Sequence, residues 1–526
     1  MFQSKTLSGS LNKTNIKLLF VILILLSAGL LRFSLLFTTH QYPSGDEALA
    51  GMMAKQLSEG GKIFIKTYGV AYAGGGYIEV YLIALTFKIF GVSNISLKLP
   101  IVLVSLTSLL LVILLGFKVF GNIGGIIWGI IYGFCPIFME WNLIVKSGYI
   151  ELLVFIPFLI LFFMKIYEKN KFKDIVFLGI ISAIAFWNHP IILSLLIAFC
   201  LFFFLNFDKG FFKAIIYILI SILPRIIIEL CRDTSVLLQT HITSMDFENF
   251  FSKISRVFYF DLPAFFTSEN VDKFIESIPI TAYFWYAIVI LAIISVIIRC
   301  IKNFKKNYYL KENFSTSIDV LIFLFFVAFL IHIILYSLTT MGGTSPRYLL
   351  PAGFYLMALL SFEITRLIRL KKVISNIIVI FFWSLFFCLS FAEYTVLFKE
   401  ERTVHDLGIK SNGRDLVRAI DFLKTNNYKY VYANFFLQWR IIFESKGEII
   451  ASSDNLMPMV YSANREHENT VDKAKKFAYV VNTQDPFKDL LLSRFNKMKV
   501  MYKIFDSGDI TVIHALSKNK RPKDIF

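Results

Sequence analysis

From residue 16 to residue 392 the chain returns repeatedly to apolar runs of about membrane-spanning length. Lipid offers no partners to backbone N–H and C=O groups, so such a chain must satisfy them within helices. The expectation is a polytopic α-helical membrane protein, residues 1–399, followed by a soluble domain at 400–526. The formal net charge of +17 would suggest nucleic acid in a soluble protein. Here Lys and Arg cluster in short loops between apolar runs, as the positive-inside rule requires, and no nucleic-acid partner is expected.

Those basic loops orient the chain. Lys5, Lys13 and Lys17 place the N-terminus in the cytoplasm, and the first run, 16–37, lacks a small-residue cleavage site and reads as a retained anchor. Further inner clusters are Lys165–Lys173, Lys209 and Lys213, Arg299–Lys311, and Arg366–Lys372. The run at 77–91 contains Glu79 and Lys88 and is short, so it is expected to be re-entrant or interfacial. Leaving it uncounted gives about eleven crossings and puts the 400–526 domain outside the cell membrane. Spans at 99–119 and 122–140 should be joined by a tight turn near Gly121. Runs at 174–187 and 190–206 should form a hairpin with Asn188-His189-Pro190 at its outer tip, and spans should follow at 211–231, 281–298, 318–338, 348–365 and 373–392.

Polar residues then collect on one side. The first external loop, 38–76, holds Gly45-Asp46-Glu47-Ala48, Tyr68, Tyr72 and three glycines at 74–76. Ser44 and Glu47 fit a Ser-x-x-Glu capping box, with Leu49, Met52, Met53 and Leu57 following at helical spacing. That pattern predicts a short amphipathic helix lying on the membrane surface. Glu79, Lys146, Glu151, His189 and Arg347 stand at outer ends of apolar runs, and Arg225 interrupts the 211–231 run. The domain at 400–526 alternates helical (415–423, 487–495) and extended (430–433, 477–481, 510–513) patterns, as a small α/β domain does. It lacks cysteine and any nucleotide-binding loop. No dedicated metal-ligand spacing occurs; carboxylates could still bind a divalent metal, so the sequence assigns none. A transporter or flippase is the rival class, but no internal repeat appears and, Arg225 apart, the charges sit mainly at outer span ends.

Five segments carry a family likeness: GDEALAGMMAKQLSEG, YGVAYAGGGYIEVYLIALTFKIFG, KSGYIE, FWNHP and SPRYLLPAGFYLMALL. With them the chain resembles GT-C-fold glycosyltransferases of the protein O-mannosyltransferase-like superfamily (glycosyltransferase family 39-like), which includes the aminoarabinose transferases of lipid A. The likeness covers about residues 16–370 and is weaker beyond. It implies a GT-C membrane domain and transfer of a sugar from a polyprenyl-phosphate donor to a glycan, lipid or protein acceptor. It also implies that Asp46, with Glu47 beside it, acts as base or orients the acceptor. Lys146 and Arg347 become the candidates for the donor phosphate, and Tyr68, Tyr72, Glu79, Tyr149, Glu151, His189 and Tyr348 the remaining substrate-binding candidates. FWNHP stands where relatives often have Lys-Gly-Pro, so no phosphate-binding lysine carries over there.

Overall fold

The computed structural model describes residues 13–61, 77–146, 148–205, 209–230, 249–262, 317–339, 346–399, 403–406, 409–453, 465–516 and 521–525, with a few positions between 290 and 298. Tyr68, Tyr72, the 74–76 glycines and most of the expected 281–298 span lie outside the described residues.

The membrane part is a helix bundle. Its helices are α1 (Lys13–Thr38), α2 (Gly45–Ser58), α3 (Tyr77–Phe90), α4 (Asn94–Phe134), α5 (Pro136–Trp141) and α6 (Tyr149–Lys169). They continue as α7 (Phe172–Asn188), α8 (Leu193–Leu205), α9 (Lys209–Leu230), α10 (Phe250–Arg256), α11 (Ser317–Leu338), α12 (Leu350–Leu370) and α13 (Val373–Lys399). Among the described residues six helices are long and apolar enough to cross a membrane: those containing 15–38, 94–134, 149–169, 318–338, 347–370 and 373–395. The reading of about eleven crossings relies in addition on shorter helices, on proline-bent α9 and on 281–298.

α4 is broken at Gly121, where φ is +79° and ψ −178°, a conformation essentially reserved for glycine. The turn expected there folds the second arm of α4 back on the first. Gly125, Gly129 and Gly133, spaced by four, form the seam. A Cβ on Gly125 or Gly129 would collide with Phe117 or Ile113, and one on Gly116 would sit 2.7 Å from the Gly125 Cα. Bare backbone is what lets two apolar helices approach this closely where no hydrophobic force drives them together. Ser108 Oγ and Tyr132 Oη, 2.7 Å apart, tie the arms as well. At the far end of this hairpin the buried Arg32 of α1 donates to Ser105 Oγ (3.0 Å) and to the Gly133 carbonyl (3.3 Å).

The chain turns at Asn188-His189-Pro190 as expected, but its two helices pack chiefly on other neighbours. The chain breaks at His189, but α7 packs on α6 and α9 whereas α8 packs on α11 and α9. Arg225, the apparent exception in mid-span, donates to the carbonyls of Phe186 (2.6 Å) and Trp187 (2.7 Å). These are carbonyls in the last turn of a helix, where intrahelical amides run out, so Arg225 caps α7.

The C-terminal part begins with a two-stranded antiparallel pair, β1 (Thr403–Asp406) and β2 (Ile409–Asn412). A five-stranded mixed sheet follows in the order β4-β3-β5-β7-β6. Its strands are β3 (Tyr430–Ala433), β4 (Ile450–Ser452), β5 (Ala478–Asn482), β6 (Tyr502–Asp506) and β7 (Ile510–Ala515). Helices α14 (Gly413–Thr425), α15 (Phe435–Glu444), α16 (Arg465–Lys473) and α17 (Pro486–Lys497) accompany it, and α18 (Pro522–Ile525) ends the described chain. β3 is parallel to β4 and β5, while β7 is antiparallel to β5 and β6. The α/β expectation for this domain is met.

α2 is a helix, as the spacing predicts, and it is enclosed between α3 and α15. Gly45, Ala48, Leu49, Ala50, Gly51, Met53 and Ala54 are buried. A Cβ on Gly45 would come within 2.5 Å of the Phe436 Cα, and one on Gly51 within 2.7 Å of the Phe443 ring. Its weak amphipathic pattern has this cause: small residues on two faces meet two neighbours. Lys55 Nζ donates to the Lys446 carbonyl (2.8 Å), and Asn94 donates to Glu444 (2.9 Å), across the same seam.

Candidate active site

The N-terminus of α2 is set by the predicted capping box. Ser44 is the N-cap, and Glu47 Oε2 accepts the Ser44 N–H at 2.8 Å. This leaves Asp46 free of any capping duty. Its Oδ2 pairs with Lys146 Nζ at 3.0 Å, and its side chain is 34% exposed.

Glu47 is in the opposite situation. Its Oε1 accepts the Val145 N–H (2.9 Å) and pairs with Lys98 Nζ (2.8 Å), both side chains being buried. All three donors bind the same carboxylate and enclose it. Sequence reasoning set Glu47 beside Asp46 in catalysis; the structure gives it the work of fastening the 143–146 segment to α2. Lys98 was missed, although a lysine one turn into an apolar run is costly unless paired, and that was the available signal.

The segment from Trp141 to Glu151 gathers the other candidates. Gly148 N–H donates to Glu79 Oε2 (3.1 Å), and Asn188 Nδ2 donates to the Gly148 carbonyl (2.9 Å). Glu79 and Glu151 are both buried, and neither Glu151 oxygen has a hydrogen-bond partner. Burial, then the nearby Glu151 carboxyl, pushes Glu79 well above the ordinary carboxylate value. Tyr149 lies against His189 (ring centroids 4.4 Å) and meets Tyr348 edge-on (5.9 Å). His189 Nδ1 accepts the Ile191 N–H at 3.2 Å, capping the 3-10 turn Pro190–Ile192 as its position before proline suggests.

Arg347 enters from a second 3-10 turn, Pro346–Leu349, just before α12. Its Nη2 donates to Tyr348 Oη (3.0 Å), its guanidinium lies over the Tyr348 ring (4.8 Å to the centroid), and it is within electrostatic reach of Tyr149 and Asp46. The described candidates therefore form one chain of contacts: Asp46–Lys146, Glu47–Val145, Glu79–Gly148, His189–Tyr149–Tyr348–Arg347. Among the described residues no group of three or more His, Cys, Asp or Glu side chains could hold a metal ion.

Over 97% of its length the chain superposes on ArnT from Cupriavidus metallidurans, solved with undecaprenyl phosphate. It covers 100% of that chain with a TM-score of 0.58, at 10% sequence identity. The chain has the GT-C fold. The apo form of the same ArnT aligns with a TM-score of 0.56 at 10% identity, covering 95% of this chain and 99% of that one. An oligosaccharyltransferase from Archaeoglobus fulgidus, in complex with zinc and sulfate, aligns over 87% of this chain and 68% of its own, with a TM-score of 0.52 at 12% identity. Residues 77–228 match the model of the dolichyl-phosphate-mannose-protein mannosyltransferase family. That segment contains Glu79, Lys146, Glu151 and His189, but neither Asp46 nor Arg347. The likeness carried by the sequence motifs is met by the fold and, over residues 77–228, by the family segment. No curated protein sequence matches it.

Proposed function

We propose that the chain is a membrane glycosyltransferase that moves a sugar from a polyprenyl-phosphate donor to an acceptor hydroxyl on the outer face of the membrane. The observation that carries this is a group of three half-buried side chains: the Asp46 carboxylate, with the cations Lys146 and Arg347 around it. The acceptor O–H gives its proton to Asp46 as its oxygen bonds the anomeric carbon. The bond from that carbon to the phosphate oxygen breaks, and the electron pair leaves with the lipid phosphate. A departing phosphate is already an anion, so it needs positive charge rather than a proton. Arg347 presents a planar guanidinium suited to two phosphate oxygens, and Lys146 a point charge. One base on the face opposite the leaving group gives inversion. Undecaprenyl phosphate in the Cupriavidus ArnT of the same fold supports the donor class. The acceptor class, protein, lipid or glycan, is left to the experiment.

The test uses the full chain in nanodiscs with a polyprenyl-phosphate-linked sugar, following release of free polyprenyl phosphate and appearance of glycosylated acceptor. Both should appear together. Movement of intact donor across the bilayer without release would make the protein a flippase instead. The orientation has its own check in a cysteine-free background. Cysteines at the exposed positions 118 and 429 should differ, with membrane-impermeant reagent reaching 429 alone.

A further inference from the structure

His332 lies on α11, in a run with no other charged or titratable neighbour in the preceding twelve residues, and is buried. Both of its ring nitrogens are engaged. Nε2 is 2.8 Å from the Tyr348 carbonyl oxygen, and Nδ1 is 2.9 Å from Ser194 Oγ. A carbonyl only accepts, so Nε2 carries the hydrogen; the neutral ring then accepts at Nδ1 from the Ser194 hydroxyl. That hydroxyl has a longer alternative, the Ile191 carbonyl at 3.4 Å. The ring thus spans two elements with a fixed tautomer.

Both ends of this link matter to the site. Tyr348 follows Arg347 in the 3-10 turn Pro346–Leu349. Three residues beyond it stands Pro351, which has no N–H to close a 3-10 bond on the Tyr348 carbonyl. Ser194 stands in the first turn of α8, directly after the break at His189-Pro190. At the mouth of the site the same two segments meet again through Tyr149, which touches His189 on one side and Tyr348 on the other. The Arg347 turn and the His189 turn are therefore joined twice, above by an aromatic ring and below by His332.

We propose that His332 is a positioning residue that fixes the Arg347–Tyr348 turn against α8, and that through this turn it sets the grip of Arg347 on the donor's lipid phosphate. The second half rests on the donor role given to Arg347 above. The test is a double-mutant cycle on the full chain in nanodiscs, with undecaprenyl phosphate as the probe. His332→Leu should weaken binding about tenfold, the worth of one or two net hydrogen bonds. His332→Gln keeps an N–H donor and should recover most of that loss, while Ser194→Ala should cost about threefold. In an Arg347→Ala background His332→Leu should add nothing, because the two act as one unit. A folded His332→Leu protein that binds like wild type, or a fully additive double variant, would overturn the proposal. If His332→Leu does not fold, Ser194→Ala takes its place in the cycle, and wild-type binding or full additivity would again overturn the proposal. Amide exchange over residues 347–350 separates the two halves of the idea. Faster exchange in the His332 or Ser194 variant, with Arg347→Ala binding the probe normally, would keep the clamp and remove the donor role of Arg347. Unchanged exchange would remove the clamp itself.

Discussion

Two regions at one end of this bundle carry neighbouring carboxylates and treat them in opposite ways. At the start of α2 each acid has its own lysine: Asp46 with Lys146 at 3.0 Å, Glu47 with Lys98 at 2.8 Å. At the starts of α3 and α6, Glu79 and Glu151 are buried within each other's electrostatic reach, and no ion pair involves either among the described residues. The first region sets each acid against a cation. In the second, burial and mutual repulsion favour a protonated Glu79, which accepts one backbone N–H and has a proton to donate. A half-exposed carboxylate beside a lysine can act as base; an enclosed one without a cation is placed to hydrogen-bond. The comparison therefore supports the proposal that Asp46 carries the chemistry while the other three acids shape its surroundings.

Asp46→Asn would break that comparison most directly. Ser44, not Asp46, caps α2, so the amide disturbs no cap. Loss of a half-exposed ion pair and of a first-turn charge should change stability by less than about 1 kcal/mol. Sugar transfer should nevertheless fall by roughly two to four orders of magnitude, the usual worth of a positioned base. Initial rates at saturating donor, beside an unfolding curve of the same sample, decide the matter. A near-wild-type rate would exclude Asp46 as base.

Lys98→Met comes next and acts on stability. It leaves the buried Glu47 carboxylate without its cation, for which about 3–5 kcal/mol is the expected cost. The double variant Glu47→Gln/Lys98→Met removes the charge as well and should recover much of that loss. Recovery measured by thermal unfolding would confirm that Glu47 fastens the loop. Full transfer activity in a double variant stable enough to assay would show that Glu47 takes no part in the chemistry.

Arg347→Ala should weaken binding of a polyprenyl-phosphate sugar by about 1.5–3 kcal/mol, the range for hydrogen bonds to charged groups. Arg347→Lys should recover only part, since an ammonium cannot offer two parallel donors. Calorimetric titration of the purified protein is the readout, and unchanged affinity would return Arg347 to an ordinary cation at a span end.

Much of this was legible in the sequence because it was written in local patterns. Ser44-x-x-Glu47 announced the cap, Gly121 announced the turn in α4, and three of the five strands of the C-terminal sheet, β3, β5 and β7, showed as short apolar runs, whereas β4 and β6 did not. The likeness in GDEALAGMM and SPRYLLP placed Asp46 and Arg347 on one site although 301 positions separate them. What escaped was set by packing partners distant in the chain. The enclosure of α2 depends on Phe436 and Phe443, about 390 residues away. The burial of Lys98 against Glu47 likewise follows no spacing rule, and Arg225 looked like a site charge until the α7 carbonyls it caps were in view.

Glu79→Gln is the smallest change and the finest test of the comparison. Gln keeps the shape and an oxygen to accept the Gly148 N–H, and it presents an N–H where protonated Glu79 presents O–H. In the folded protein Glu79 binds its proton more tightly than at its ordinary value of 4.5, so the native state retains a proton that the unfolded chain releases. Between those two pKa values the unfolded state binds fewer protons, and stability must fall as pH rises from about 4.5 toward the folded pKa. Gln has nothing to titrate. The variant should match wild type at pH values below about 4.5 and become progressively more stable than wild type above it, so the difference in Tm should widen with pH. Unfolding curves at a series of pH values between about 4 and 8 supply the measurement. A difference in Tm that is flat across the series would mean that burial does not hold the proton on Glu79, and the contrast between the two acid regions would be lost.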